Sequence, residues 1–281
     1  YGKLRTRGFE ASARADITFG KLSWQPSVNF TTSRTKVLAL GPNQTQILNR
    51  ASLTKVGGQV GTYYVYNVIG VYKSQEDLDK YPHLSTSKIG SYIYEDVDGD
   101  KKITDADRVE KGNYNPDFTM GFNNTVKYKN VDFGFTAQWV YGSKRCNGQN
   151  VFLLNGEGWG NSSKKLFDHW WSADQPTGYY ATPRSKPTDK LYENSTLMVE
   201  DGSFLRFTNI TLGYNLPKKW LRKVGIGNVR LYATGHNLIT ITDYSGYNPE
   251  ANSATDPLRP GIDSGGYPVS KSLIFGVNVS F

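Results

Sequence analysis

The stretch Val131-Asp132-Phe133-Gly134-Phe135-Thr136-Ala137-Gln138-Trp139-Val140-Tyr141 decides the fold. Its odd-numbered positions hold Val, Phe, Phe, Ala, Trp and Tyr, while Asp132, Gly134, Thr136 and Gln138 lie between them. A period of two is the mark of a strand with one greasy and one wet face. Just upstream, Phe118, Met120, Phe122, Val126 and Tyr128 alternate in the same way, and Lys129-Asn130 separates the two runs. A two-residue turn sets Tyr128 opposite Val131, so both apolar sets fall on the same face of a hairpin.

Working outward, the construction repeats. Phe9, Ala11, Ala13, Ala15, Ile17 and Phe19 alternate with polar residues, and Gly20-Lys21 leads into Leu22, Trp24, Val28 and Phe30. A third pair runs from about Met198 to Tyr214 and from Asn228 to about His236, linked through Leu216 to Gly227. Ile210, Leu212 and Tyr214 share one face there, as do Val229, Leu231 and Ala233. The last strand covers about Leu273 to Phe281. Seven strands are thus expected, separated alternately by short turns and by long polar segments near 39–116, 142–197 and 237–272. Short turns at one end and long loops at the other are how outer-membrane barrels are built. Seven strands do not close a channel, so the remaining wall is expected before Tyr1. The chain opens at Tyr1 in mid-pattern without Met, as expected of a piece of a processed, exported polypeptide.

Composition is compatible with this reading. Mean hydropathy is −0.54, and no run approaches the roughly 20 apolar residues of a membrane helix. A barrel wall escapes that test because only alternate residues meet lipid. Aromatics make up 14% of the 281 residues, a bias shared by barrel girdles and by sugar-binding proteins. The net charge of +8 is scattered rather than clustered, which disfavours nucleic acid as a partner. The lone Cys146 excludes an internal disulfide. His83, His169 and His236 show no metal-ligand spacing, and neither a nucleophilic motif nor a paired-carboxylate site stands out, so the chain is not expected to be an enzyme.

The chain ends with Leu273, Phe275, Val277, Val279 and Phe281 on alternate positions. A terminal aromatic behind such a stripe resembles the signal read by the barrel-assembly machinery. Three further segments resemble the C-terminal region of SusC/RagA-like TonB-dependent transporters: Tyr94 to Arg108 with Gly112-Asn113-Tyr114-Asn115-Pro116-Asp117-Phe118 and Tyr128-Lys129-Asn130-Val131-Asp132; Ser203 to Pro217; and Asn237 to Glu250. The resemblance runs over nearly the whole chain from about Gly8. It implies that residues 1–281 are the C-terminal, all-β portion of a transmembrane barrel of about 22 strands. The plug and TonB box would lie outside it. It further implies import of oligosaccharides or oligopeptides across the outer membrane of a Gram-negative bacterium, with a SusD-like lipoprotein lid outside, TonB beneath, external loops and a periplasmic C-terminus. A secreted all-β glycan-binding module with a calcium loop is the alternative.

Two sets of site residues follow. Asp96, Asp98, Asp100, the Lys102 carbonyl, Thr104 and Asp107 have the order of an EF-hand or dockerin calcium loop, with Lys101 where glycine normally turns and Asp rather than Glu at the end. A solvated Asp/Gly turn uses the same residues. Trp159, Trp170, Trp171, Tyr179 and Tyr180 offer faces for a sugar or peptide, or form the loop's own core. Arg14, Asp16, Asp132, Gln138, Arg206 and Arg230 are expected to face the lumen, toward cargo or plug.

Overall fold

The computed structural model describes residues 2–157, 160–186, 189–222, 225–253 and 255–281. Its main sheet is a meander in which each long strand pairs antiparallel with the next. These strands are β1 (Lys3–Arg14, resumed at Ile17–Phe19), β2 (Leu22–Ala39), β3 (Phe118–Tyr128), β4 (Val131–Tyr141), β5 (Phe204–Asn215), β6 (Asn228–Thr242) and β7 (Ser272–Ser280). The turns fall as expected: Phe19 pairs with Leu22 and Tyr128 with Val131. Gly20 and Lys129 both take positive φ, 60° and 53°. The pause in β1 at Ala15-Asp16 lies opposite Pro26, whose ring nitrogen has no hydrogen to give. Ala15 donates to the Pro26 carbonyl, and nothing returns.

The register defines two faces. One row crosses all seven strands as Ile17, Trp24, Val126, Phe133, Leu212, Ala233 and Phe275. One residue along, the other face reads Thr18, Ser23, Lys127, Asp132, Gly213, Tyr232 and Gly276. Much of the apolar row lies open: Phe133 is 40% exposed, Leu212 55% and Phe275 78%. Each large side chain moved from water to an apolar medium contributes about 1.5–3 kcal/mol. One such row therefore amounts to on the order of 10 kcal/mol, comparable with the whole stability of a soluble domain. A free-standing water-soluble module would forgo it. Lipid supplies it.

Aromatic residues bracket the apolar zone. β3 and β4 are each 11 residues long, about the length of a tilted membrane-crossing strand, with Phe118 and Tyr128 ending one and Tyr141 the other. At the loop end Phe9, Phe30, Phe118, Trp139 and Tyr141 form a chain of ring contacts with centroids 5.1–6.4 Å apart. Asn124 interrupts the apolar face of β3, and its side-chain carbonyl accepts the Trp24 indole N–H at 3.1 Å, which satisfies both of those groups where water is scarce.

On the other face the Asp132 carboxylate and the Arg230 guanidinium meet over the backbone of Gly213, with Nε to Oδ1 at 3.0 Å. A Cβ on Gly213 would lie within 2.6 Å of both groups. Gly213→Ala is accordingly expected to part the pair and cost the barrel about 1–3 kcal/mol. The check is denaturant unfolding of the full-length protein in lipid, where wild-type stability would contradict it.

Two expectations need correction. β6 continues to Thr242 instead of ending near His236, because Ile239 and Ile241 carry its apolar alternation onward. β5 begins at Phe204, since Thr196–Met198 is a 3-10 turn and Val199–Asp201 joins a small loop sheet. An extra residue at Thr208 shifts the pairing with β4, so Leu205 and Phe207 share the outer face with Ile210 and Leu212 despite the change of parity. The same bulge turns Arg206 inward.

The long segments are not open loops. The segment after β2 forms a four-stranded sheet from Gln46–Asn49, Ser52–Lys55, Thr62–Tyr66 and Arg108–Glu110, with Val68–Val71 paired to Tyr92–Tyr94 beside it. Lys144–Asn147 pairs antiparallel with Val199–Asp201 and parallel with Ile262–Asp263, which stitches the other two segments together. One core joins all three, with Tyr63, Tyr66, Tyr92, Tyr94, Cys146, Tyr192 and Met198 buried and Ile262 packed against them. Burial pushes the Cys146 thiol up to about 11, as suits an inert core residue. Among the described residues no helix is long and apolar enough to cross a membrane.

Candidate functional site

Two surfaces have the means to meet a solute: the polar inner face of the sheet and the cap that the long segments build over one end of it. The inner face is a shallow groove in which Asn123, Thr125, Thr136, Asn209 and Thr211 surround the Asp132–Arg230 pair. The Thr211 and Thr234 hydroxyls bond at 2.9 Å, and Thr136 Oγ1 donates to Asn123 Oδ1 at 2.9 Å. The Asn209 side-chain oxygen is buried without a partner among the described residues. Arg14 and Asp16 pair at 3.6 Å on the same face.

One arginine holds the cap on the wall, and a second ties the cap together. Arg206, 5% exposed, reaches from β5 to the Glu250 carboxylate and to Asn248 Oδ1 at 3.1 Å, with Nε on Thr240 Oγ1 at 3.2 Å. Its charge is therefore engaged by the chain itself. Arg145 is 4% exposed and donates to the carbonyls of Pro249 at 2.6 Å, Lys144 at 2.9 Å and Tyr114 at 3.2 Å, while stacking over the Tyr114 ring at 4.2 Å. One guanidinium thus ties residues from all three segments. Nothing in the sequence around Arg145 signals this, because its partners are backbone carbonyls far along the chain.

The aromatic set divides. Trp159 lies outside the described residues. Tyr180 is 3% exposed and forms a small core with Leu154 and Leu166, against which the half-buried Trp170 packs. Trp171 packs on the main cap core, and its indole N–H is buried without an acceptor among the described residues. Tyr179 is 49% exposed and lies 4.4 Å from the Tyr180 ring, centroid to centroid. The packing role of these rings is thus on view, and among the described ones Tyr179 offers most surface to a ligand.

The loop at 96–107 folds tightly around its own carboxylates. Carboxylate oxygens of Asp96, Asp98 and Asp107 converge to within 4.8 Å of one another. Lys101 takes φ 64°, the left-handed conformation that glycine usually supplies at this point of a calcium loop. Asp107 is fully buried and accepts the N–H groups of Val97 at 2.8 Å and Thr104 at 2.7 Å. Asp100 faces the Lys102 N–H at 2.7 Å, and Thr104 Oγ1 accepts the Ala106 N–H at 3.2 Å. Three of the six expected ligands come together. The other contacts complete the turn.

A further buried acid went unnoticed in the sequence. Asp189 accepts the Tyr94 hydroxyl and the Leu191 N–H. Burial lifts its pKa above the ordinary value of 3.8, outweighing those two hydrogen bonds, which lower it. A raised carboxyl pKa favours the folded cap fully below the ordinary value, and that contribution is lost as pH climbs through the raised one. Asp189→Asn keeps an acceptor for Tyr94 and removes the titration. Its cap should resist protease at pH 7 at least as well as wild type, with any advantage gone near pH 4. A cap that is cut faster at pH 7 contradicts this.

No family model matches the chain. Whole proteins are similar to it along its full length. It is 33% identical over 296 residues to "TonB-dependent receptor P3" of Formosa agariphila, covering all of this chain and 29% of that protein. It is 27% identical over 297 residues to "TonB-dependent receptor SusC" of Bacteroides thetaiotaomicron, covering all of this chain and 27% of that one. In fold it superposes on a chain of the "RagAB peptide transporter" with TM-score 0.78, at 23% identity, covering all of this chain and 30% of that one. The chain spans less than a third of the length of these relatives.

Proposed function

We propose that this chain is a SusC/RagA-like stretch of transmembrane barrel wall with its loop cap, and that it serves a TonB-dependent active importer in the outer membrane. The observation that carries the reading is the continuous antiparallel pairing of seven strands into one sheet with an apolar and a polar face. Such a wall separates lipid from a wet passage. The relatives are named receptors and transporters, which favours uptake over chemistry. In this reading the long segments lie outside the cell beneath a SusD-like lipoprotein lid, and Phe281 lies on the periplasmic side. The plug and the TonB contact belong to other parts of the whole protein.

For cargo we propose oligomers, saccharide or peptide. The exposed ring of Tyr179 suits the faces of either, and Asn123, Thr136 and Thr211 suit their hydroxyl or amide groups. The test is uptake of labelled oligosaccharides and oligopeptides by cells that make the full-length protein, with and without TonB. Uptake of one class that stops without TonB supports the reading. Uptake indifferent to TonB marks a passive pore and contradicts it.

We further propose that Asp96, Asp98 and Asp107 hold Ca2+, stiffening a loop that contacts the lid. A hard cation suits three converging carboxylates, and Lys101 already makes the required turn. Terbium bound to the full-length protein should luminesce and be displaced by Ca2+, with affinity lowered at least tenfold in Asp96→Asn/Asp98→Asn. Equal luminescence in the variant overturns the proposal.

A further inference from the structure

Arg5, Arg7, Arg34 and Lys36 lie on the outward face of β1 and β2, just beyond Phe9 on the loop side, and together line one open groove. The register sets them against one another, Arg5 opposite Lys36 and Arg7 opposite Arg34. Like charges directly opposite on a sheet repel, so this arrangement costs stability unless an anion joins it. The described residues supply little. Arg34 touches Asp117 at 3.5 Å with both side chains more than half exposed, and Arg5, Arg7 and Lys36 have no acidic partner.

Depth favours a lipid as the missing anion. Phe9 belongs to the aromatic chain that marks one edge of the apolar zone. Arg7 and Arg34 sit about 7 Å further along the strands, and Arg5 and Lys36 about 13 Å. With a barrel's strand tilt these are heights of about 5 and 10 Å above the hydrocarbon, the level of headgroups. The cations are also local. At the same end of the outer face, β3 to β6 present Phe118, Tyr141, Leu205 and Ile241. A general solvated rim would spread its charges around the wall.

We propose that this groove binds the phosphate groups of an acylated lipid in the leaflet on the loop side, the acyl chains lying along the apolar face below Phe9. Guanidinium forks suit phosphate oxygens, and the apolar stripe beneath suits the chains. The proposal rests on the membrane-wall reading and adds a specific lipid contact to it.

The test uses the full-length protein in detergent, with a bis-phosphorylated acyl glycolipid, the same glycolipid stripped of phosphate, and inorganic phosphate as probes. Wild type should retain the phosphorylated form in native mass spectrometry at least tenfold more strongly than the stripped form. Arg5→Gln/Arg7→Gln/Arg34→Gln/Lys36→Gln should lose that preference, Arg34→Gln/Lys36→Gln should keep part of it should the fourfold variant misassemble, and Lys21→Gln/Lys129→Gln, at the turn end, should keep all of it. Equal retention of both glycolipids by wild type overturns the proposal and leaves the wall reading standing. Competition by inorganic phosphate at the same concentration as the glycolipid also overturns it, marking a free-anion site. Retention of neither glycolipid overturns it as well, while loss of the wall reading would show separately as failure of the protein to insert in lipid vesicles.

Discussion

Leu212→Arg is expected to deplete the assembled full-length protein from the outer membrane, whereas Thr211→Arg, one residue earlier, leaves assembly close to wild type. Leu212 is 55% exposed on the apolar face, one outward row in from Tyr214. An arginine on the lipid face costs about 2–4 kcal/mol at the midplane and about 0–1 near the interface. At Leu212 about 2 kcal/mol is expected, on the order of a 30-fold change in the ratio of folded to unfolded barrel. Thr211 faces the polar groove, where it loses only its bond to Thr234. The measurement is the heat-modifiable, folded fraction on cold gels, with unfolding in lipid for the magnitude. Equal loss in both variants contradicts the two-faced wall.

Arg145→Ala should loosen the cap while the wall stays intact. Removing the guanidinium leaves the carbonyls of Pro249, Lys144 and Tyr114 without that donor and opens a void beside the Tyr114 ring. Hydrogen bonds from a charged donor contribute about 1.5–3 kcal/mol each, and such losses are not additive. About 3 kcal/mol for the site as a whole is a fair expectation. Arg145→Lys retains the charge without the fork and should recover less than half. Amide exchange in the full-length protein reads it: faster exchange at Tyr114, Lys144 and 249–263 with β3 to β5 unchanged is expected. Unchanged exchange in the cap contradicts the role given to Arg145.

The wall was legible in the sequence because strand periodicity is local. Phe133, Leu212 and Phe275 share an outer row simply because side chains alternate and short turns keep the count. Even the bulge left a trace. Arg206 and Leu212 have the same parity, yet a charged and an apolar side chain belong on opposite faces, which requires an extra residue between them, and Thr208 supplies it. The end of β6 was obscured because Leu238 to Thr242 sits within a polar, loop-like neighbourhood. The cap was not legible. Tyr63 donates to the Gly261 carbonyl at 3.0 Å and Tyr244 to Asp263 Oδ2 at 2.7 Å, contacts set by loop closure over long spans that no short pattern encodes. Of the candidate ligands, the order of Asp96, Asp98 and Asp107 was readable from spacing, but their convergence depends on the buried position of Asp107.

The account stands on the claim that one face of this sheet meets lipid and the other meets water. A nitroxide placed in turn at each position from Val131 to Tyr141, in the full-length protein reconstituted in vesicles, measures it directly through collision with oxygen and with a water-soluble nickel chelate. Oxygen should dominate at Phe133, Phe135, Ala137 and Trp139, and nickel at Asp132, Gly134, Thr136 and Gln138. Nickel access at both sets, or at neither, would contradict it.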